Sequence, residues 1–135
     1  MADERVALLH VSARDVRNRA HAPYSKFKVG AAVLDNLGQV HVGCNVENAS
    51  YPEGVCAETN ALGAMVAGGG TACQLVVICA GDDQIITPCG GCRQRLAEFC
   101  TPETPVISFT AKGDQRFETT LGDLLPRGFS ASDFK

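Results

Sequence analysis

The segments Cys56-Ala57-Glu58 and Pro88-Cys89-Gly90-Gly91-Cys92 each lead into a helix-like run, and together they supply three thiols and one carboxylate. Three sulfur ligands suit Zn²⁺, and a structural zinc site normally has a fourth protein ligand. No fourth Cys or His stands at a natural ligand spacing here, so one coordination position is left for water. Glu58 lies close enough to Cys56 in the chain to reach that water. A zinc-activated water beside a carboxylate is typical of hydrolytic and deaminating centres.

The spacing of Cys89 and Cys92 alone permits other interpretations, because a C-x-x-C pair also occurs in redox proteins and in half of a structural zinc knuckle. Two features favour catalysis, namely the upstream Cys-Ala-Glu and the Pro88 that precedes Cys89. Zinc deaminases combine a His or Cys ligand, one intervening residue, a Glu and a later Pro-Cys-x-x-Cys. We therefore expect Cys56, Cys89 and Cys92 to hold one zinc ion and Glu58 to transfer protons.

Along most of its length the chain resembles the small, homotetrameric cytidine deaminases whose zinc is held by three cysteines. Besides the zinc motif, the likeness is carried in the same order by segments 22–27 (APYSKF), 43–49 (GCNVENA) and 124–126 (LLP) with Phe129. The resemblance implies hydrolysis of cytidine and deoxycytidine to uridine and deoxyuridine with release of ammonia, as in pyrimidine salvage. It also implies a cytidine deaminase-like fold.

The resemblance further implies that three residues outside the zinc motif contact the nucleoside. Phe27 would pack on the pyrimidine, since an aromatic face stacks well on a base. Asn45 and Glu47 would bind the ribose 3′-hydroxyl, a role that suits an amide beside a carboxylate. Without the resemblance, Phe27 would be interpreted as a core aromatic, and Asn45 and Glu47 as the solvated end of a strand.

Other substrate contacts implied by the resemblance involve more than one copy of the chain. Ala57 would contact the substrate within its own subunit. Ala49 and Tyr51 would line a neighbouring subunit's site, and Phe129 of another subunit would close over the base. The expected partners are therefore a small pyrimidine nucleoside and further copies of this chain in a homotetramer.

The charge around the metal raises a question, because three thiolates outweigh the charge of Zn²⁺ and make it a poorer acid. Both ligand segments lie at predicted helix N-termini, and the second helix begins after Pro88. The partial positive charge at a helix N-terminus favours thiolates. Arg93, directly after Cys92, is expected to donate to a ligand sulfur. Many relatives carry Arg after the catalytic Glu, but this chain has Thr59, whose hydroxyl can donate one hydrogen bond and brings no charge.

Length and composition limit the function. A chain of 135 residues predicts one domain, residues 1–135. The net charge is -3 and no basic run is present, so we expect no nucleic-acid groove and favour a free nucleoside over a polynucleotide. The sequence has no apolar run of about twenty residues and therefore predicts no membrane span. The acidic N-terminus is not a signal peptide.

Seven cysteines are present, an odd number that favours a reducing cytoplasm over an exported, disulfide-bonded protein. Three are assigned to zinc. The other four lie in apolar surroundings and are expected to be small core residues: Cys44, Cys73, Cys79 and Cys100.

Hydrophobic periodicity predicts an α/β fold, a three-layer α/β/α sandwich with a mixed five-stranded sheet. The expected elements are a helix at 3–19, a hairpin at 29–34 and 40–47, a helix at 56–67, a strand at 75–80, a helix at 89–100, strands at 105–110 and 116–119, and a helical turn at 121–125. The helix at 56–67 is small and apolar on most sides, so part of it is expected at the centre of the oligomer.

Two other functions fit parts of this pattern. One is a blasticidin-type or modified-nucleoside deaminase on the same scaffold, which Phe27, Asn45 and Glu47 make less favoured. The other is a non-catalytic zinc-binding protein, which would need no Glu58 and would tend to close the fourth coordination position.

Overall fold

Two apolar runs form the centre of the sheet in the computed structural model, which describes residues 2–134. The strands are β1 (Val29–Asp35), β2 (Val40–Cys44), β3 (Cys73–Ala80), β4 (Pro105–Phe109) and β5 (Arg116–Thr120). Their order across the sheet is β2-β1-β3-β4-β5. β3 pairs with β4 in parallel, and the other neighbouring strands are antiparallel. The predicted mixed five-stranded sheet is confirmed.

Helices cover both faces of this sheet. They are α1 (Ala2–Arg17), α2 (Ala57–Ala67), α3 (Gly90–Ala97) and the single turn α4 (Leu121–Leu124), with short 3-10 helices at Tyr51–Glu53 and Ala131–Phe134. Ala32 and Val77 pack with α1, whereas their neighbours Ala31 and Val76 pack with α2 and α3. Successive strand residues point to opposite faces, so the predicted three-layer α/β/α sandwich is confirmed.

Two glycines let helices approach the sheet closely. A Cβ atom at Gly43 of β2 would lie 2.4 Å from the backbone nitrogen of Ala61 and 2.5 Å from the carbonyl oxygen of Ala57. A Cβ atom at Gly30 would lie 2.0 Å from the carbonyl oxygen of Ala13 in α1. The backbone of α2 therefore rests directly on β2, and this contact positions the first turn of α2.

Two predicted elements, β2 and α3, end three residues earlier than expected, for identifiable reasons. β2 ends at Cys44 rather than at residue 47, because the Asn45 side chain replaces the next strand contacts: its Oδ1 accepts from the Val29 N–H at 2.9 Å and its Nδ2 donates to the Phe27 carbonyl at 2.9 Å. α3 ends at Ala97 rather than at residue 100. There the carbonyl oxygen of Phe99 accepts from the Cys73 N–H at 2.8 Å, which joins the end of the helix to β3.

The four cysteines outside the predicted zinc site divide into two pairs. Cys73 and Cys79 are buried in the core, as predicted. Cys44 and Cys100 are only partly buried. Cys100 packs against the core from its edge, as the prediction requires in part, whereas Cys44 is not found in either core cluster of the described residues. Both follow or end an element at the edge of the packed layers, where apolar neighbours in sequence do not guarantee burial. Among residues 2–134, no helix has the length and apolar character needed to cross a membrane.

Candidate active site

Three sulfur atoms converge where α2 and α3 begin. Cys56 is the N-cap of α2, Cys89 is the N-cap of α3, and Cys92 lies in the first turn of α3. Their Sγ atoms all lie within 4.8 Å of one another, with 3.9 Å between those of Cys56 and Cys89. No other group of three His, Cys, Asp or Glu side chains in the described part of the chain is arranged in this way. Three clustered thiols are a donor set that fits zinc.

The thiols differ in their surroundings although they share one cluster. Hydrogen bonding with Cys92 lowers the pKa of the Cys56 thiol. The same hydrogen bond, followed by burial, raises the pKa of the Cys92 thiol. All ligand thiols lose their protons when zinc binds.

Glu58 lies in the first turn of α2 and is buried, with 4% of its surface exposed. Burial raises the pKa of its carboxyl, and a hydrogen bond with the Cys92 thiol opposes that effect. The side chain therefore reaches the sulfur cluster without belonging to the thiol donor set. A carboxyl excluded from bulk water beside a metal site is suited to proton transfer.

Arg93 does not make the hydrogen bond predicted for it. Its guanidinium donates to the carbonyl oxygens of Pro88 at 2.6 Å and Leu124 at 2.8 Å, and to the hydroxyl of Thr87 at 2.8 Å. None of the hydrogen bonds found within residues 2–134 joins it to a sulfur. A residue one position beyond Cys92 points about 100° away around the helix, so Arg93 faces α4. It holds the Pro88 loop that carries Cys89.

Thr59 makes the contact that its hydroxyl allows. Its Oγ1 lies 3.7 Å from the Cys92 Sγ atom, within hydrogen-bonding distance for sulfur. Toward a thiolate, the hydroxyl is the only possible donor of the two groups.

Asn45 and Glu47 are both turned toward segment 24–29, although neither lies in β2 as predicted. Asn45 bonds to Val29 and Phe27, as described above, and Glu47 accepts hydrogen bonds from Tyr24 and Ser25. Sequence reasoning missed Tyr24 and Ser25 as partners of Glu47, although both stand in the segment that carries the family resemblance. Phe27 is 42% exposed, which excludes the interpretation of a core aromatic.

An open pocket of about 330 Å³ lies beside this segment, lined by Tyr24, Ser25, Glu47, Asn48, Tyr51 and Gly54. Of the residues predicted to bind substrate, it contains Glu47 and Tyr51. Tyr51 is exposed and packs edge-to-face on Tyr24, with ring centres 6.0 Å apart. Among the described residues, neither Phe27 nor a zinc ligand lines it, so one chain does not unite the predicted site in a single cavity.

The remaining predicted substrate residues lie in different places. Ala49 and Phe129 are exposed, and Phe129 lines other pockets than Tyr51 does, next to α3. The carbonyl oxygen of Phe129 accepts from the Gln94 amide at 2.9 Å. Ala57, the first residue of α2, has no exposed surface and packs into the core. The structure therefore gives no support for its predicted contact with substrate.

The sequence of the chain is similar to those of known proteins. Residues 4–108 match the family model described as the cytidine and deoxycytidylate deaminase zinc-binding region. The chain is 41% identical to the cytidine deaminase of Sporosarcina psychrophila over 95% of this chain and 93% of that protein. It is 37% identical to the cytidine deaminase of Mycobacterium tuberculosis strain H37Rv over 98% and 96% of the two chains.

Solved structures of cytidine deaminases also have closely similar folds. The crystal structure of cytidine deaminase from Burkholderia pseudomallei superposes with a TM-score of 0.85 at 42% identity, covering 91% of this chain and 98% of that one. The cytidine deaminase of Mycobacterium tuberculosis superposes with a TM-score of 0.79 at 36% identity, covering 92% and 96%.

Proposed function

Because the chain belongs to the cytidine deaminase family, we propose that it hydrolyses cytidine and deoxycytidine to uridine and deoxyuridine with release of ammonia. The proposal is carried by one observation, the convergence of three cysteine sulfurs beside a buried carboxyl. The zinc-dependent chemistry of the family requires this combination of ligands and proton carrier. Such a reaction belongs to pyrimidine salvage.

Cys56, Cys89 and Cys92 hold the single Zn²⁺ of each subunit in this proposal. When bound, zinc supplies Lewis acidity that makes water a better nucleophile near neutral pH. Two of the three ligands are helix N-caps, and the partial positive charge there stabilises their thiolates. Thr59 adds a hydrogen bond to the Cys92 sulfur. Arg93 acts one step further away, because it holds the loop that contains Pro88.

Glu58 is the proton carrier of the proposed reaction. It takes a proton from the attacking water and passes it to N3 of the pyrimidine, and the oxygen adds to C4. Glu58 then takes the proton of the new C4 hydroxyl and delivers it to the amino group. The C4–N bond breaks, ammonia leaves, and the C4 carbonyl of uridine forms. Its burial in the first turn of α2 supports this role, since a shielded carboxyl exchanges protons with the substrate rather than with bulk water.

Nucleoside recognition is assigned to Phe27, Asn45 and Glu47. The exposed ring of Phe27 is available to stack on the base, and Glu47 lines the pocket beside it. The sequence indicates no residue dedicated to a ribose 2′-hydroxyl, which fits acceptance of both cytidine and deoxycytidine. The net charge of -3 and the lack of a basic run in the sequence favour a free nucleoside over a polynucleotide.

We also infer that the enzyme is a homotetramer whose sites are completed by neighbouring subunits. Ala49, Tyr51 and Phe129 are exposed, as residues that reach another subunit's site would be in a single chain. Val66 is 52% exposed, and nothing lies within 4 Å of a Cβ atom added at Gly63. Both lie on α2, so a small, apolar helix surface is open to a second copy.

The same observations support one domain over residues 1–135, since elements from both halves of the chain pack on a single sheet. A cytoplasmic location suits the proposal, because the ligand thiols bind zinc only in reduced form.

The deciding experiment is an ultraviolet assay with cytidine, because deamination shifts the absorbance of the pyrimidine. We expect turnover by the purified protein, loss of turnover after treatment with a chelator, and recovery on addition of Zn²⁺. A protein that binds zinc stoichiometrically but leaves cytidine and deoxycytidine unchanged would refute the proposal. Turnover of only a blasticidin-type or modified nucleoside would refute the assigned substrate and retain the chemistry.

A further inference from the structure

The Glu47 carboxylate is held by segment 24–25. Its Oε1 accepts from the backbone N–H of Tyr24 at 3.0 Å and of Ser25 at 3.1 Å, and its Oε2 accepts from the Ser25 hydroxyl. An ionised carboxylate has about four acceptor sites, and no further hydrogen bond to it is found within residues 2–134. These contacts therefore leave about one acceptor for a ligand and fix its direction.

The Ser25 hydroxyl has a second partner, the backbone N–H of Phe27, which donates to Oγ at 3.0 Å. A hydroxyl carries one proton, and an ionised carboxylate only accepts. The proton therefore points to Glu47, and a lone pair receives the N–H of Phe27. One side chain thus joins the carboxylate assigned to the sugar with the residue assigned to the base.

Lys26, between these two residues, has a φ of 62°, in the left-handed region that residues other than glycine rarely adopt. Its backbone N–H donates to the Ala22 carbonyl at 3.0 Å. The hydrogen bonds of Ser25 hold the chain on both sides of this unfavourable conformation. Backbone strain of this kind persists only where surrounding contacts enforce it, and it is frequent at binding sites.

We propose that Ser25 is a positioning residue for nucleoside recognition, whose hydroxyl, fixed by the N–H of Phe27, orients Glu47 toward the sugar. This inference rests on the proposed deamination of cytidine and adds a residue to its site. Hydrogen bonds from Ser25, with that of the hydroxyl foremost, also lower the pKa of the Glu47 carboxyl. Ser25 therefore favours the ionised form of Glu47, which can accept a hydrogen bond from a sugar hydroxyl.

The test compares cytidine with 3′-deoxycytidine, which lacks the hydroxyl that Glu47 is assigned to bind. We expect Ser25→Ala to raise KM for cytidine about tenfold, the usual effect of losing a hydrogen bond to a charged group, with a smaller change in kcat. For 3′-deoxycytidine the wild-type and Ser25→Ala enzymes should have similar KM values. Ser25→Thr, which keeps the hydroxyl, should restore most of the affinity for cytidine.

Ser12→Ala is the matched control, because Ser12 also uses its hydroxyl locally, bonding the Leu8 carbonyl at 3.0 Å on the exposed face of α1. It should leave both KM values unchanged. An unchanged KM of Ser25→Ala for cytidine, or an equal loss for both substrates, would overturn the inference while cytidine turnover by the wild type upheld the proposed function. A wild-type enzyme inactive on cytidine would overturn both.

A variant that fails to fold is addressed by the double substitution Ser25→Ala/Lys26→Gly. Glycine adopts a positive φ without strain. At position 26 it should therefore keep the loop conformation without the hydrogen bonds of the Ser25 hydroxyl, but it does not replace the hydrogen bond to Glu47. We expect the double variant to fold and to keep the raised KM for cytidine only. Recovery of the wild-type KM would assign Ser25 a purely structural role and overturn the inference.

Discussion

At the scale of single residues, the site depends on a few side chains within one turn of a ligand. Glu58 is buried in the first turn of α2, two residues from Cys56, and the Thr59 hydroxyl contacts the Cys92 sulfur. Both belong to the first turn of α2, so their directions follow from the helix that Cys56 begins. Substitutions there test the chemistry with little effect on the fold.

Replacing Glu58 by Gln keeps the size of the side chain but removes its ability to carry a proton. We expect activity on cytidine to fall by at least about 10²–10⁴, equivalent to about 3–5 kcal/mol in the barrier. Zinc content and melting temperature should stay near those of the wild type. Glu53→Gln, at an exposed glutamate, is the control and should remain active. Normal turnover by Glu58→Gln would refute its role.

Replacing Thr59 by Val removes the hydroxyl next to the Cys92 sulfur and keeps the branched shape. We expect zinc affinity to fall about tenfold, since partners of metal ligands commonly contribute this much. Thr59→Ser, which retains the donor, should bind zinc almost as the wild type does. Competition with a chromogenic chelator measures both affinities. Equal affinities of Thr59→Val and the wild type would show that the hydrogen bond does not matter to the metal.

At the scale of elements, the position of the site depends on how α2 lies on β2. Gly43 permits backbone-to-backbone contact with Ala57 and Ala61, and α2 carries Cys56 as its N-cap and Glu58 in its first turn. The β1–β2 hairpin is fixed at its other end by Asp35, which is completely buried. Its Oδ1 accepts from the N–H groups of Leu37 and Gln39, and its Oδ2 lies 2.8 Å from the His41 Nε2 atom.

Gly43→Ala should push α2 away from β2, because the added methyl group would meet backbone atoms that cannot rotate aside. We expect a loss of about 1–3 kcal/mol in the free energy of unfolding, as for other overpacked cores. Urea denaturation measures this loss. Gly63→Ala on the open side of α2 is the control and should not destabilise the protein, since its Cβ atom meets nothing. Similar stability of both variants would contradict the close-contact interpretation.

Asp35 predicts a pH dependence of stability. Hydrogen bonds from Gln39, His41 and Leu37 lower the pKa of its carboxyl below the ordinary value of 3.8. A lowered folded-state pKa stabilises the protein above the ordinary value, and this contribution is lost as pH falls through the folded-state pKa. Asp35→Asn should therefore unfold in less urea than the wild type at pH 7.

The difference between Asp35→Asn and the wild type should shrink as pH falls below the ordinary carboxyl pKa of 3.8 and through the lower folded-state pKa of Asp35. Asp83→Asn provides the comparison, because Asp83 is exposed and pairs only with Lys112 at 3.7 Å; it should have little effect at either pH. A destabilisation by Asp35→Asn that did not vary with pH would point to packing rather than charge.

At the scale of the whole molecule, one chain brings the three metal ligands together, but other residues assigned to the substrate lie far apart in it. Tyr51 and Phe129 line separate pockets, and both are exposed. The open surface of α2 around Gly63 and Val66 offers a place for chains to meet. In the proposed tetramer, neighbouring chains supply Tyr51 and Phe129 to each other's sites, which a monomer cannot do.

Gly63→Glu tests the proposed tetramer. A Cβ atom at this position meets no atom of its own chain, and glutamate favours the helix, but its carboxylate would put a charge into an interface formed by α2. Light scattering should give a tetramer for the wild type and a smaller species for the variant, with less cytidine turnover. Gly63→Ala should remain tetrameric. A wild type that is monomeric at micromolar concentration would rule the proposal out.

The metal ligands and the order of the elements were predictable from sequence, because both depend on local spacing. Cys89 and Cys92 share one helical turn, Glu58 follows Cys56 into another, and apolar runs mark the central strands. The end of β2 was predicted three residues too late. The alternation of side chains between the two faces of a strand does not reveal that the Asn45 side chain takes the place of backbone hydrogen bonds between β2 and β1. The direction of Arg93 was wrong because it depends on where α4 packs.

What the sequence determined by itself is the chemistry of the site, since the types and spacing of ligands leave few alternatives for a metal. Only the tertiary structure decided which residues meet in the part of the site assigned to the nucleoside. Ser25 and Glu47 are 22 residues apart in the chain, and their contact exists because β1 and β2 pair and carry the loops at their ends together. Such a contact depends on packing between elements, which no local pattern records.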